Sequence, residues 1–200
     1  MNWHIVEDNF FENPYSIRDE ALKSIAERNS CILNDEIPNY PGARGKTSIE
    51  VRNNVFGWIE NKMGIKVGAC SLAYHITSRV HGLGLIHADF PPWQYAGVIY
   101  LNENPPENSG TIFCKLLPEI EPTLENFKSA STTKDLDTIK RFIEYKENYN
   151  NSYYEIELEI ENKFNRLILY EGSTYHAPRY YFGNNLFNSR LVLVFWFNLV

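Results

Sequence analysis

Two side chains that bind metals stand two positions apart near the middle of the chain, His87 and Asp89. They lie in the stretch Leu85-Ile-His-Ala-Asp-Phe-Pro-Pro-Trp-Gln-Tyr-Ala-Gly-Val-Ile-Tyr100. In an extended segment residues i and i+2 project from the same side, so an imidazole and a carboxylate can reach one ion. A third ligand has to come from elsewhere. His176 offers it, after the apolar run Leu167-Ile-Leu-Tyr170 and the break Glu171-Gly-Ser-Thr174. Two imidazoles and one carboxylate on one face of an octahedral ion leave the other positions open for a co-substrate and dioxygen, an arrangement suited to Fe(II).

Further along, Arg190 opens the last apolar run, Leu191-Val-Leu-Val-Phe-Trp-Phe197. A guanidinium fork matches a carboxylate, and an arginine on a strand amid apolar neighbours must find a buried charge partner. That preference ranks it above Arg179. In this order the pieces resemble the 2-oxoglutarate/Fe(II)-dependent dioxygenases, specifically the small prolyl-hydroxylase-like members. The likeness covers roughly residues 70 to 198 and rests on four features. They are His87-x-Asp89, Tyr100-Leu-Asn102, Ser109-Gly-Thr-Ile-Phe113 in the place of the family's Gly-Gly-x-Leu/Phe strand, and the pair His176 and Arg190. Ser109 stands where the family commonly has a first glycine.

The resemblance implies a double-stranded β-helix, a jelly roll of two antiparallel sheets with N-terminal helices packed outside. It implies His87, Asp89 and His176 as catalytic iron ligands, Arg190 as the salt-bridge partner of the far carboxylate of 2-oxoglutarate, and Tyr100 as a hydroxyl donor to the same group. The implied activity is hydroxylation of a C–H bond with Fe(II), 2-oxoglutarate and O2, releasing succinate and CO2. The implied substrate is a peptidyl residue such as proline, or a small molecule.

The residues themselves leave alternatives open. Tyr100 equally suits a core position with its hydroxyl satisfied. His176, flanked by Tyr175, Tyr180 and Tyr181, is either a ligand or a packed polar residue. His75, His81 and His87 recur at an even spacing that would share one face of a continuous strand, but Gly82 and Gly84 interrupt it. Two other functions fit the same residues: a non-catalytic jelly-roll binding or assembly protein, and a cupin-like metalloenzyme that uses no 2-oxo acid. The first predicts no Fe(II)-dependent binding of 2-oxoglutarate, and the second predicts indifference to loss of Arg190.

The elements that must position these groups read as one domain over residues 1–200, with an N-terminal strand and helices over 1–66 and the jelly-roll core over 67–200. A strand spans 3–10. A helix from Asn13-Pro14 to about Arg28 has a cap and a proline at its first position. Asn39-Tyr-Pro-Gly-Ala-Arg-Gly-Lys46 is dense in turn formers. It reads as a surface connection, or as a rim that offers Arg44 or Lys46 to an anionic substrate. A helix follows over about Ile49 to Met63, then strands over Val67–Val80, Tyr95–Leu101 and Thr111–Leu116.

Residues 117 to 152 are polar, with a helical stripe from Asp135 to Glu147, and form an insertion that either caps the site or covers a sheet edge. Tyr154 to Glu161 alternates, with Tyr154, Ile156, Leu158 and Ile160 inward and glutamates outward. Leu167 to Tyr170 is expected to run back beside it.

Composition sets the frame. The chain has 200 residues, 44% hydrophobic and 14% aromatic, enough for one sizeable core. A net charge of −6 with scattered basic residues offers no electrostatic footprint for nucleic acid or an anionic membrane. Cys31, Cys70 and Cys114 form no Cys-x-x-Cys pair and read as buried thiols of a reducing compartment. With no basic n-region before an apolar run and no long apolar stretch, the expected location is cytoplasmic.

Overall fold

The computed structural model describes residues 4–28, 42–117 and 150–200. Helix α1 (Pro14–Arg28) starts where Asn13 caps it, Ser16 N–H donating to Asn13 Oδ1 at 3.4 Å, and it buries Ala21, Leu22 and Ile25. Helix α2 (Ile49–Met63) is capped by the Ser48 side chain, which accepts from Val51 N–H. It ends at Gly64, whose φ of 68° is the left-handed turn that glycine takes without strain. Its buried face carries Val51, Val55, Phe56 and Ile59.

The strands are β1 (His4–Glu7), β2 (Ala43–Gly45), β3 (Val67–Thr77), β4 (Tyr95–Tyr100), β5 (Thr111–Leu116), β6 (Tyr154–Ile160), β7 (Leu167–Glu171), β8 (Tyr175–Pro178) and β9 (Arg190–Leu199). They form a six-stranded sheet in the order β1-β7-β4-β9-β3-β2 and a three-stranded sheet in the order β6-β5-β8, with antiparallel pairing throughout. One face of the larger sheet, through Tyr74, Ile76, Leu191, Leu193, Phe195 and Phe197, packs on α1 and α2. The opposite face, through Val98, Tyr100, Ile168, Tyr170, Val192 and Val194, meets Phe113 and Ile160 of the smaller sheet. The fold is a double-stranded β-helix with the N-terminal helices outside, as expected.

Several local expectations differ from the structure. Ala43–Gly45, expected as loop, pairs with β3 as a short edge strand, because Ala43 and Gly45 are small enough to lie against α1. The strand starting at Val67 stops at Thr77, and a 3-10 turn spans Arg79–His81. Leu167–Tyr170 does not run beside β6. It crosses into the larger sheet between β1 and β4, where its Leu and Ile side chains are buried on both faces, whereas β6 pairs with β5. Ile156, expected inward, is 44% exposed, since β6 is the outer strand of its sheet and the β5–β6 register shifts between Phe113 and Cys114.

Cys31, the Asp135–Glu147 helix and most of the 117–152 insertion lie outside the described residues. Among the described residues no helix is long and apolar enough to cross a membrane.

Candidate metal centre and its cavity

His87 lies outside the named strands, in an irregular extended segment that touches the smaller sheet at one point. Its N–H donates to the His176 carbonyl at 3.0 Å and the His176 N–H donates back to the His87 carbonyl at 2.9 Å. Two residues on, the Asp89 and Phe90 N–H groups both donate to the Gly172 carbonyl, at 2.8 and 2.9 Å. Gly172 belongs to the break before β8, and a Cβ there would overlap the Trp93 carbonyl oxygen. The turn thus needs glycine to lie under the Asp89 segment. Held in this way, one ligand atom from each of His87, Asp89 and His176 lies within 4.8 Å of the other two.

The hydrogen bonds assign the imidazole tautomers. His87 Nδ1 is 2.8 Å from the Leu85 carbonyl oxygen and His176 Nδ1 is 2.9 Å from the Thr174 carbonyl oxygen. A carbonyl only accepts, so each Nδ1 carries a proton, which leaves each Nε2 as the ring nitrogen that faces the group. Burial, and after it the neighbouring His87, pushes the His176 ring down to about 4, against the opposing pull of Asp89. At neutral pH His176 is therefore an uncharged base. Its Nε2 faces Asp89 Oδ2 at 3.4 Å, and His87 Nε2 faces Asp89 Oδ1 at 3.9 Å. Two imidazole nitrogens and a carboxylate converging in this way form a donor set that a cation fits.

A cavity of about 130 Å³ opens beside this group. Arg190, the first residue of β9, lines it while only 3% exposed. Its Nε has no hydrogen-bond partner, and among the described residues no carboxylate lies within ion-pair range of it. Burial lowers its pKa, while the nearby Tyr100, Tyr181 and Tyr170 oppose that shift. The guanidinium carbon is 5.8 Å from the Tyr100 ring centre. Opposite Arg190 in the β3–β9 ladder, buried Thr77 also has an unpartnered hydroxyl. Arg190 thus brings a buried cation to the wall of the cavity that the His/Asp/His group also lines.

Tyr100 is fully buried, with its hydroxyl 2.7 Å from Thr111 Oγ1, and it is Thr111 that lines the cavity in front of it. His75 lines the cavity apart from the three-residue group. His81 closes its 3-10 turn through Ser78 and packs edge-on against Tyr181. Arg179 points out to Glu159, at 3.6 Å. Sequence reasoning did not single out Thr111, Tyr170 or Trp196 as cavity walls. The signal was there in part: Val194 and Trp196 share the parity of Arg190 on one strand, and so share its face.

A family model described as a family of unknown function (DUF6445) matches residues 3–186. No curated protein matches the chain in sequence. Among solved structures, a Pseudomonas putida prolyl-4-hydroxylase is similar in fold at a TM-score of 0.54 and 12% identity, with 100% of this chain and 94% of that chain covered. A Trichoplax adhaerens prolyl hydroxylase, solved with a hypoxia inducible factor peptide fragment, aligns at 0.55 and 13% identity, covering 98% and 84%. HygX from Streptomyces hygroscopicus, solved with nickel and 2-oxoglutarate bound, aligns at 0.56 and 11% identity, covering 100% and 83%. These likenesses establish the fold, which the chain shares with the two prolyl hydroxylases and HygX.

Proposed function

We propose that this chain, which belongs to the family of unknown function DUF6445, is an Fe(II)- and 2-oxoglutarate-dependent oxygenase. His87, Asp89 and His176 would hold the metal, and Arg190 would hold the far carboxylate of the 2-oxo acid. The observation that carries this reading is Arg190. A guanidinium buried without a carboxylate partner is costly to fold, and its place in the wall of the same cavity as a His/Asp/His donor set makes a co-substrate anion the natural compensation. The nickel and 2-oxoglutarate of HygX, in a protein of similar fold, support it.

The chemistry that iron and the 2-oxo acid supply when bound is oxidative decarboxylation to succinate and CO2 coupled to oxidation of a C–H bond. The protein contributes positioning. The Thr174 and Leu85 carbonyls hold the two imidazoles in one tautomer and one orientation. Thr77 offers a hydroxyl opposite Arg190 in the ladder, Thr111 stands in the cavity wall, and Val98, Val194 and Tyr170 keep that wall apolar. A dry wall strengthens the Arg190–carboxylate pairing and keeps competing water away.

A cupin-like enzyme without a 2-oxo acid would leave Arg190 without a carboxylate partner among the described residues, which disfavours that alternative. The deciding experiment is an anaerobic titration with Fe(II) and 2-oxoglutarate that follows the visible charge-transfer band of the chelate. The band is expected in the unmodified protein and absent in His176→Ala. A folded protein that binds Fe(II) but gives no band would reject the oxygenase reading.

A further inference from the structure

The ring of Tyr170 belongs to the apolar wall of the cavity, but it carries a hydroxyl. Tyr170 is paired on both sides in the larger sheet, opposite His4 on β1 and Ala96 on β4. Two residues later Gly172 accepts the Asp89 and Phe90 N–H groups on its carbonyl, at 2.8 and 2.9 Å, and four residues after that comes His176. The backbone therefore places Tyr170 relative to two of the three metal-binding side chains. Packing fixes the ring as well. Its centre lies 4.5 Å from that of the His176 ring and 5.1 Å from that of Phe113, which it meets edge-on at 75°.

Tyr170 is 2% exposed and lines the cavity. Tyr100, equally buried, rests its hydroxyl 2.7 Å from Thr111 Oγ1, whereas the Tyr170 hydroxyl has no hydrogen bond among the described residues. An enclosed hydroxyl without a partner is costly, and in a native protein it calls for an explanation. One that borders a cavity gains its partner when the cavity is filled. Burial, and after it the charge of Asp89, raises this phenol well above its ordinary range, against the pull of Arg190. The group is therefore a proton-bearing donor at neutral pH, within electrostatic reach of both the metal-binding carboxylate and the guanidinium.

The two ends of the cavity are served differently. Arg190 has Thr77 opposite it in the ladder and the Tyr100 ring centre 5.8 Å from its guanidinium carbon. Tyr170 packs on His176, at the metal end. We propose that the Tyr170 hydroxyl donates a hydrogen bond to the 2-oxo carboxylate end of the co-substrate, the end that meets the metal, while Arg190 takes the far carboxylate. The proposal rests on the oxygenase reading and deepens it by giving the second end of the 2-oxo acid its own recognition group.

The test compares the full chain with Tyr170→Phe, which loses one hydroxyl and keeps the ring contacts. Both proteins are loaded anaerobically with Fe(II) and titrated with 2-oxoglutarate and with 2-oxobutyrate, which keeps the 2-oxo carboxylate but has no far carboxylate. Calorimetry and the charge-transfer band are the readouts. Tyr170→Phe is expected to bind both acids roughly 10- to 100-fold more weakly, the worth of a hydrogen bond to a charged group, with Fe(II) affinity unchanged. The band is expected to move to shorter wavelength, because the lost hydrogen bond had lowered the ligand's acceptor orbital. Arg190→Met is expected to weaken 2-oxoglutarate and spare 2-oxobutyrate. Without metal, Tyr170→Phe should melt at the same temperature or higher, since it loses a buried hydroxyl that has no partner; a hydroxyl that only held the fold together would give a lower one. Equal 2-oxoglutarate affinity and an unmoved band in Tyr170→Phe, or a loss confined to 2-oxoglutarate, would overturn the proposal and leave the oxygenase reading standing. Absence of 2-oxoglutarate binding in the unmodified chain would overturn both.

Discussion

His87 and His176 are joined through their backbones before any metal is considered: each donates its N–H to the carbonyl of the other, at 3.0 and 2.9 Å, and their rings lie 4.6 Å apart between centroids. The spacing of the two imidazoles is therefore a property of strand pairing, which does not depend on either side chain.

This separates metal binding from folding. His87→Ala, Asp89→Ala and His176→Ala should each leave the sheet intact and lower Fe(II) affinity by more than the roughly 100-fold that loss of an outer hydrogen-bond partner costs. Metal content after equilibrium dialysis, with circular dichroism as the fold control, checks this. Iron retained by His176→Ala would place the metal elsewhere.

Arg190 should show the opposite pattern. Arg190→Met removes a buried charge that has no carboxylate partner among the described residues, so the apo protein should melt at the same temperature or higher. A saturating 2-oxo acid, at about 100 times its Kd, stabilises by about 2.7 kcal/mol, roughly 5–10 °C in a chain of this size. With metal present, that rise is expected in the unmodified protein and lost in the variant, with Fe(II) affinity unchanged. Thermal melts with and without 2-oxoglutarate decide it.

Acid sensitivity should depend on Asp8. Arg166 Nε donates to Asp8 Oδ1 at 2.6 Å and Lys163 Nζ to Oδ2 at 2.7 Å, tying the end of β1 to the β6–β7 turn. These two cations, Arg166 foremost, hold the carboxyl far below its usual range. A depressed folded-state value means the stabilisation is present above the unfolded value of about 3.9 and is lost as pH falls below it. Because the carboxylate is 34% exposed, its worth is only about 1 kcal/mol. Asp8→Asn should be less stable than the unmodified protein by that amount at pH 7, with the gap closing below pH ~4. Urea unfolding at several pH values would show a constant gap if the pair were inert.

Gly110 should not tolerate a side chain. A Cβ at this position would overlap the Ile160 carbonyl oxygen, and backbone cannot yield as a flexible side chain does. Gly110→Ala should destabilise by about 1–3 kcal/mol and displace the adjacent Thr111 from the cavity wall, weakening 2-oxoglutarate binding as well. A variant with unchanged stability would mean that β5 and β6 can separate freely. The neighbouring Ser109 donates its hydroxyl to the Pro106 carbonyl at 2.6 Å and closes the turn.

The sequence by itself determined the chemistry on offer and the local elements that carry it. Capping at Asn13, helical spacing over 49–63 and two-residue alternation over 154–161 act between residues a few positions apart, so they can be read along the chain. The types of His87, Asp89, His176 and Arg190, and the shared face of Arg190, Val194 and Trp196, belong to the same class of information.

Only the tertiary structure decided which strands are neighbours. The crossing of Leu167–Tyr170 into the larger sheet and the recruitment of Ala43–Gly45 as an edge strand depend on which faces can be buried against distant parts of the chain, and local propensity does not encode that. The same pairing put Thr111 in front of Tyr100 and brought the Arg44 guanidinium carbon to 5.0 Å from the Trp196 ring centre. Those contacts join residues far apart in sequence, and they exist only once the two sheets have closed on one cavity.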